Sequence, residues 1–89
     1  MKILIVEDDK VIREGVSAFL SESGYTLIQA KDGKEALDLF DFDIHLVILD
    51  IQLPFMNGLE VLKEIRKNSD LPVLMLTAFS DEEYKIDAY

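Results

Sequence analysis

Apolar residues in this chain follow two rhythms. Three short unbroken runs, Ile3-Leu4-Ile5-Val6, Leu46-Val47-Ile48-Leu49 and Val73-Leu74-Met75-Leu76, are separated by longer stretches in which apolar residues recur every three or four positions. Runs this short read as strands buried on both faces of a parallel sheet, and the longer recurrence reads as helices with one inward face. The pattern predicts strands at 2–6, 25–30, 44–49 and 73–77, and helices at 10–23, 33–40, 58–67 and 81–88. Ile12, Val16, Phe19 and Leu20 fall on one face of the first helix, and Leu59, Leu62 and Ile65 form the expected inward face of the third. Gly24 is placed to stop the first helix. Asp32 with Glu35, and Ser80 with Glu83, have the spacing of capping boxes for the second and fourth helices. Regular strand–helix alternation implies an α/β fold: a parallel sheet with helices on both faces and right-handed crossovers. No internal repeat, low-complexity segment or linker interrupts it.

Composition narrows the class. At 89 residues the chain is one domain, small enough to bury only about 60–65% of its unfolded surface. A hydrophobic fraction of 49% is that of a globular chain. With no cysteine there is neither a disulfide nor a thiolate metal site. No apolar stretch approaches the roughly 18 residues of a membrane span, and the N-terminus enters a strand without the features of a signal peptide. A soluble cytoplasmic protein is therefore expected. The net charge of −9, from 18 acids against 9 bases, argues against nucleic-acid binding, which needs a basic surface.

The chemistry is concentrated where strands end. Asp50 follows the run 46–49, Glu7-Asp8-Asp9 follows the run 3–6, and Thr77 follows the run 73–76. The carboxyl edge of an open α/β sheet is where ligands bind. One acid after one strand needs no explanation beyond loop polarity. A doublet and a single acid at equivalent strand ends are different, because crowded carboxylates repel and call for a cation. Mg²⁺ suits such a set: it is small and hard, takes one or two protein carboxylates, and bridges to phosphate. The loop after Asp50 carries Pro54, which stiffens it, and Gly58, which permits backbone conformations other residues resist. Together these residues point to a site for a hard cation and a phosphoryl group.

These residues closely resemble the receiver domain of bacterial two-component response regulators. The resemblance rests on Val6-Glu7-Asp8-Asp9, Leu49-Asp50, Leu53-Pro54, Asn57-Gly58 and Thr77-Ala78, in order and at compatible spacing along the whole chain. It implies a flavodoxin-like sheet of strand order 2-1-3-4. It implies that Asp50 is the phosphoacceptor, that Glu7, Asp8, Asp50 and the backbone carbonyl of Gln52 hold Mg²⁺, and that the Thr77 hydroxyl senses the phosphoryl group. The implied partner is a sensor histidine kinase, and the implied output is a protein-interaction surface rather than turnover of a substrate. Receivers have five βα units and this chain has four, so the resemblance implies a receiver cut short, without its fifth strand, terminal lysine, fifth helix or effector domain. Lys85 lies within the predicted fourth helix, away from any strand end, and does not replace that lysine. Without the fifth unit, the edge at 73–76 and the apolar face of the first helix are expected to associate as a homodimer or domain-swapped oligomer.

Two other readings belong to different classes. A phosphorylation-independent interaction module would use the same fold without the chemistry. A phosphatase with an aspartyl-phosphate intermediate, of the haloacid dehalogenase type, would need Asp-x-Asp, and Asp50-Ile51-Gln52 lacks the second acid. His45, the single histidine, falls at the start of its strand, about 16 Å from Asp50, and reads as structural. Phe40, Phe42 and Phe55 read as core or docking residues.

Overall fold

The structure, a computed structural model, describes residues 1–76. The elements run β1 (Lys2–Val6), α1 (Lys10–Glu22), β2 (Thr26–Ala30), α2 (Gly33–Leu39), β3 (Leu46–Asp50), α3 (Gly58–Arg66) and β4 (Val73–Leu76). The four strands form one parallel sheet in the order β2-β1-β3-β4. The expected helix at 81–88, with its capping pair, and Thr77 lie outside the described residues.

Alternation along the strands sorts the core into two layers. Ile3, Ile5 and Ile48 pack on one face with Val16 and Leu20 of α1. Leu4, Val6, Val47 and Leu49 pack on the other with Ala36 of α2 and with Val61 and Ile65 of α3. Every apolar residue of β1 is essentially inaccessible to water, as expected of an interior strand covered on both faces.

Most element ends fall within a residue or two of expectation. Gly24 has φ +99°, the left-handed conformation of a helix stop. Asp32 accepts from the Glu35 N–H at 2.8 Å, while the Glu35 carboxylate reaches the N–H of Lys31 rather than that of Asp32. The third strand starts at Leu46, not 44, because Ile44 is drawn into a turn by a bond to the Asp41 carbonyl.

Two helix faces differ from the expected ones. In α3 the buried residues are Gly58, Val61 and Ile65, and Leu59 is 55% exposed. The stripes 58-61-65 and 59-62-65 both have helical spacing. Gly58 decides between them, because a side chain there would collide with the Asp50 carbonyl and stand 2.8 Å from Ile51 Cα. In α1 the packed stripe runs through Val16, Ser17 and Leu20, leaving Ile12 and Phe19 exposed. Small Ser17 sits buried in that stripe, and its hydroxyl has no hydrogen-bond partner among the described residues.

The corrected α3 face gives a stability contrast. Ile65→Ala should cost about 2–4 kcal/mol by removing a buried side chain, whereas Leu59→Ala should cost less than about 1 kcal/mol. Urea denaturation of the two variants checks this, and similar midpoints would mean that the face is wrongly assigned.

Candidate functional site

Register brings the acids together. Val6 pairs with Leu49, so the next residues, Glu7 and Asp50, arrive level at the carboxyl ends of neighbouring strands. Asp50 pairs with Leu76 on its other side. A carboxylate oxygen from each of Glu7, Asp8 and Asp50 lies within 4.8 Å of the others. Glu7 and Asp50 are buried and Asp8 is exposed, so the cluster opens to solvent on one side.

Backbone donors orient the side chains. The Gln52 N–H donates to Asp50 Oδ1 at 3.1 Å, and the Asp9 N–H donates to Glu7 Oε2 at 3.1 Å. Asp9 caps α1, accepting from the N–H groups of Val11 and Ile12 at 2.9 and 3.1 Å. Asn57 caps α3 in the same way, accepting from Leu59 N–H at 2.7 Å. Gly58 N–H returns to the Ile51 carbonyl at 2.8 Å, which folds the loop after Asp50 back on its strand. Within that loop Phe55 has φ +69° and is 96% exposed, and Met56 N–H bonds the Pro54 carbonyl at 2.7 Å. This is a tight three-residue turn in a conformation that costs a bulky residue energy.

The cluster is electrostatically stressed. Burial pushes the Glu7 carboxyl up to about 7. The Asp9 N–H bond opposes the shift, and neighbouring Asp8 and Asp50 add to it. Three hard oxygen donors, with no cationic side chain bonded to them among the described residues, form a set suited to a small divalent cation.

The structure thus unites Glu7, Asp8 and Asp50 as their strand ends imply, with Gln52 adjoining through its N–H to Asp50. Thr77 lies outside the described residues. His45 sits at the opposite end of the sheet. Its Nδ1 accepts from the Lys2 N–H at 3.0 Å, and its own N–H donates to the Lys2 carbonyl at 2.8 Å, so it is structural. Phe40 and Phe42 meet edge to face at 6.3 Å, away from the acids and beside a shallow groove shared with Leu37 and Ile65. Sequence reading passed over Arg13, whose Nη1 donates to the Glu7 carbonyl at 2.9 Å and whose Nε donates to Gln29 Oε1 at 3.3 Å. Its position one turn after the Asp9 cap is a weak signal, since the partner on β2 is visible only in the fold.

Comparison with known proteins gives a consistent picture. Residues 3–89 match the family model of the response regulator receiver domain. The chain is 52% identical over 83 residues to response regulator RR06 of Streptococcus pneumoniae, covering 92% of this chain and 38% of that protein. It is 48% identical over 90 residues to regulatory protein VanRB of Enterococcus faecalis, covering 100% of this chain and 41% of that protein. The chain thus spans roughly two fifths of these curated relatives. Among solved structures it resembles the response regulator protein TrrA of Thermotoga maritima in complex with Mg²⁺-BeF. The TM-score is 0.80 at 43% identity, over 97% of this chain and 75% of that one.

The raised Glu7 group has a pH consequence. Its native value lies above the ordinary 4.5, so between about pH 4.5 and 7 the folded chain holds more protons than the unfolded one. The stability this gives is full below about 4.5 and is lost as pH rises through about 7. Without added metal, Glu7→Gln should therefore gain on the parent by on the order of 1–2 kcal/mol, about 5–10 °C in Tm, between pH 5 and 8. Thermal melts of both proteins across that range check this, and parallel profiles would rule out the stressed carboxyl.

Proposed function

This chain belongs to the response regulator receiver domain family, and from that premise we propose that it accepts a phosphoryl group on Asp50 from a sensor histidine kinase. The observation that carries the proposal is the convergence of Glu7, Asp8 and Asp50 at the carboxyl edge of the sheet, with their oxygens within 4.8 Å. The Thermotoga relative with Mg²⁺-BeF supports the same assignment.

Asp50 is the nucleophile. The Gln52 N–H engages Oδ1 and fixes the rotamer, leaving Oδ2 for in-line attack on phosphorus. The O–P bond forms as the P–N bond of the donor phosphohistidine breaks, and the electron pair leaves with the imidazole nitrogen. Burial of Asp50 limits water at the reacting oxygen. Glu7, Asp8, Asp50 and the Gln52 carbonyl would hold Mg²⁺, which supplies positive charge against the phosphoryl oxygens. Catalysis here is positioning and electrostatics, with no turnover of a small substrate.

The output is a population shift of the receiver surface, with the Thr77 hydroxyl turning toward the phosphoryl group. A partner or effector domain outside these 89 residues reads that surface. No helix among the described residues is long and apolar enough to cross a membrane. Self-association is a further part of the proposal. Val11, Ile12 and Phe19 of α1 are exposed, and a homodimer would cover them. A sedimentation series decides whether it forms.

Acetyl phosphate with Mg²⁺ should add one phosphoryl group, by intact mass, to the parent and none to Asp50→Asn. Asp8→Asn should label at least about tenfold more slowly and lose the rise in Tm that Mg²⁺ gives the parent. An adduct persisting in Asp50→Asn would remove that residue from its role. Unlabelled parent protein that still binds its partners would favour the phosphorylation-independent module.

A further inference from the structure

The acid cluster is aimed by a side chain that does not belong to it. Glu7 and Asp8 share a peptide at the end of β1. On the near side, the Glu7 N–H closes the last rung to β2 by donating to the Ala30 carbonyl at 3.0 Å. On the far side, the Glu7 carbonyl, part of the peptide from which Asp8 hangs, accepts from Arg13 Nη1 at 2.9 Å. Among the described residues this is the one hydrogen bond to that peptide. Arg13 is itself fixed twice: its N–H donates to the Asp9 carbonyl at 2.9 Å, and its Nε donates to Gln29 Oε1 on β2 at 3.3 Å. The planar guanidinium therefore ties α1, β2 and the acid loop together at one point.

We propose that Arg13, braced by Gln29, is a positioning residue for the metal site: it locks the Glu7–Asp8 peptide so that the exposed Asp8 carboxylate is held toward Glu7 and Asp50. This inference rests on the reading of the cluster as a divalent-cation site. Asp8 is the acid that needs such help. Glu7 is buried and accepts the Asp9 N–H, and Asp50 is buried and accepts the Gln52 N–H, whereas Asp8 is exposed. Freed from Arg13, the shared peptide can rotate and carry Asp8 away from its partners.

Arg13 also acts in the opposite direction, because its positive charge near the acids repels a cation. An alanine at this position mixes the two effects. Arg13→Lys and Gln29→Ala separate them, since both keep the charge and each loses part of the brace. Removing an outer support of a metal ligand typically costs ten- to a hundredfold in affinity. Mg²⁺ binding by calorimetry on the 89-residue chain should weaken on the order of tenfold in Arg13→Lys and about threefold in Gln29→Ala. In acetyl-phosphate labelling the Mg²⁺ concentration for half-maximal rate should rise in step, while the rate at saturating Mg²⁺ stays within about twofold of the parent; a loss of general stability would lower the saturating rate as well. Without metal, the backbone order parameter at Asp8 should fall in both variants, and those at Leu4 and Leu49 should not. Asp8→Asn serves as the control. If it loses Mg²⁺ binding while Arg13→Lys and Gln29→Ala bind like the parent, the brace is refuted and the metal site stands. If the parent binds no Mg²⁺, or Asp8→Asn binds equally, the metal site itself falls and the brace with it.

Discussion

The arrangement depends on one register. Val6 lies beside Leu49, and both strands are buried on both faces. Slipping either strand by one residue would turn every apolar side chain to the wrong layer, so the core holds the register firmly. The acids that follow cannot move apart to relieve their repulsion. Burial above all, with the neighbouring Asp8 and Asp50 adding to it, leaves a Glu7 carboxyl that holds its proton to about pH 7. Hydrophobic burial, which is non-directional, thus sustains a specific electrostatic stress at one edge of the sheet, and a bound cation would relieve it while leaving the acids ionised.

The ion pairs among the described residues contribute little to this balance. Lys2 with Asp41 and Lys67 with Glu64 are exposed surface pairs, the kind worth a fraction of a kcal/mol. With a net charge of −9 the chain repels itself, and the two apolar layers must overcome that. His45 and Lys2 fasten the far edge through paired backbone and side-chain bonds, so the sheet is tied at one end and carries the acid cluster at the other.

Much of this was legible in the sequence, for identifiable reasons. The strands announce themselves because buried parallel strands are unbroken apolar runs, and the clustered acids Glu7, Asp8 and Asp50 do so because they follow the ends of those runs. Helix faces were harder. Leu59 and Val61 both satisfy a helical stripe, and the choice between them depends on how closely Gly58 approaches the Asp50 carbonyl, which is a fact of three dimensions. Phe19 looked like core by hydrophobicity, yet α1 is rotated to seat Ser17 against the sheet. Arg13 was hidden because its partners, the Glu7 carbonyl and Gln29, become neighbours only once β2 lies beside β1.

The Gly58 contact also has a mechanical meaning. The third helix starts against the backbone of the residue before Ile51, with no side chain in between to act as a cushion, and its first N–H is bonded to Ile51. Its other end is seated by Val61 and Ile65 in the core. The joint therefore has no slack. Any displacement of the Asp50 main chain beyond a few tenths of an ångström must either carry the helix with it as a rigid arm or tear the joint open.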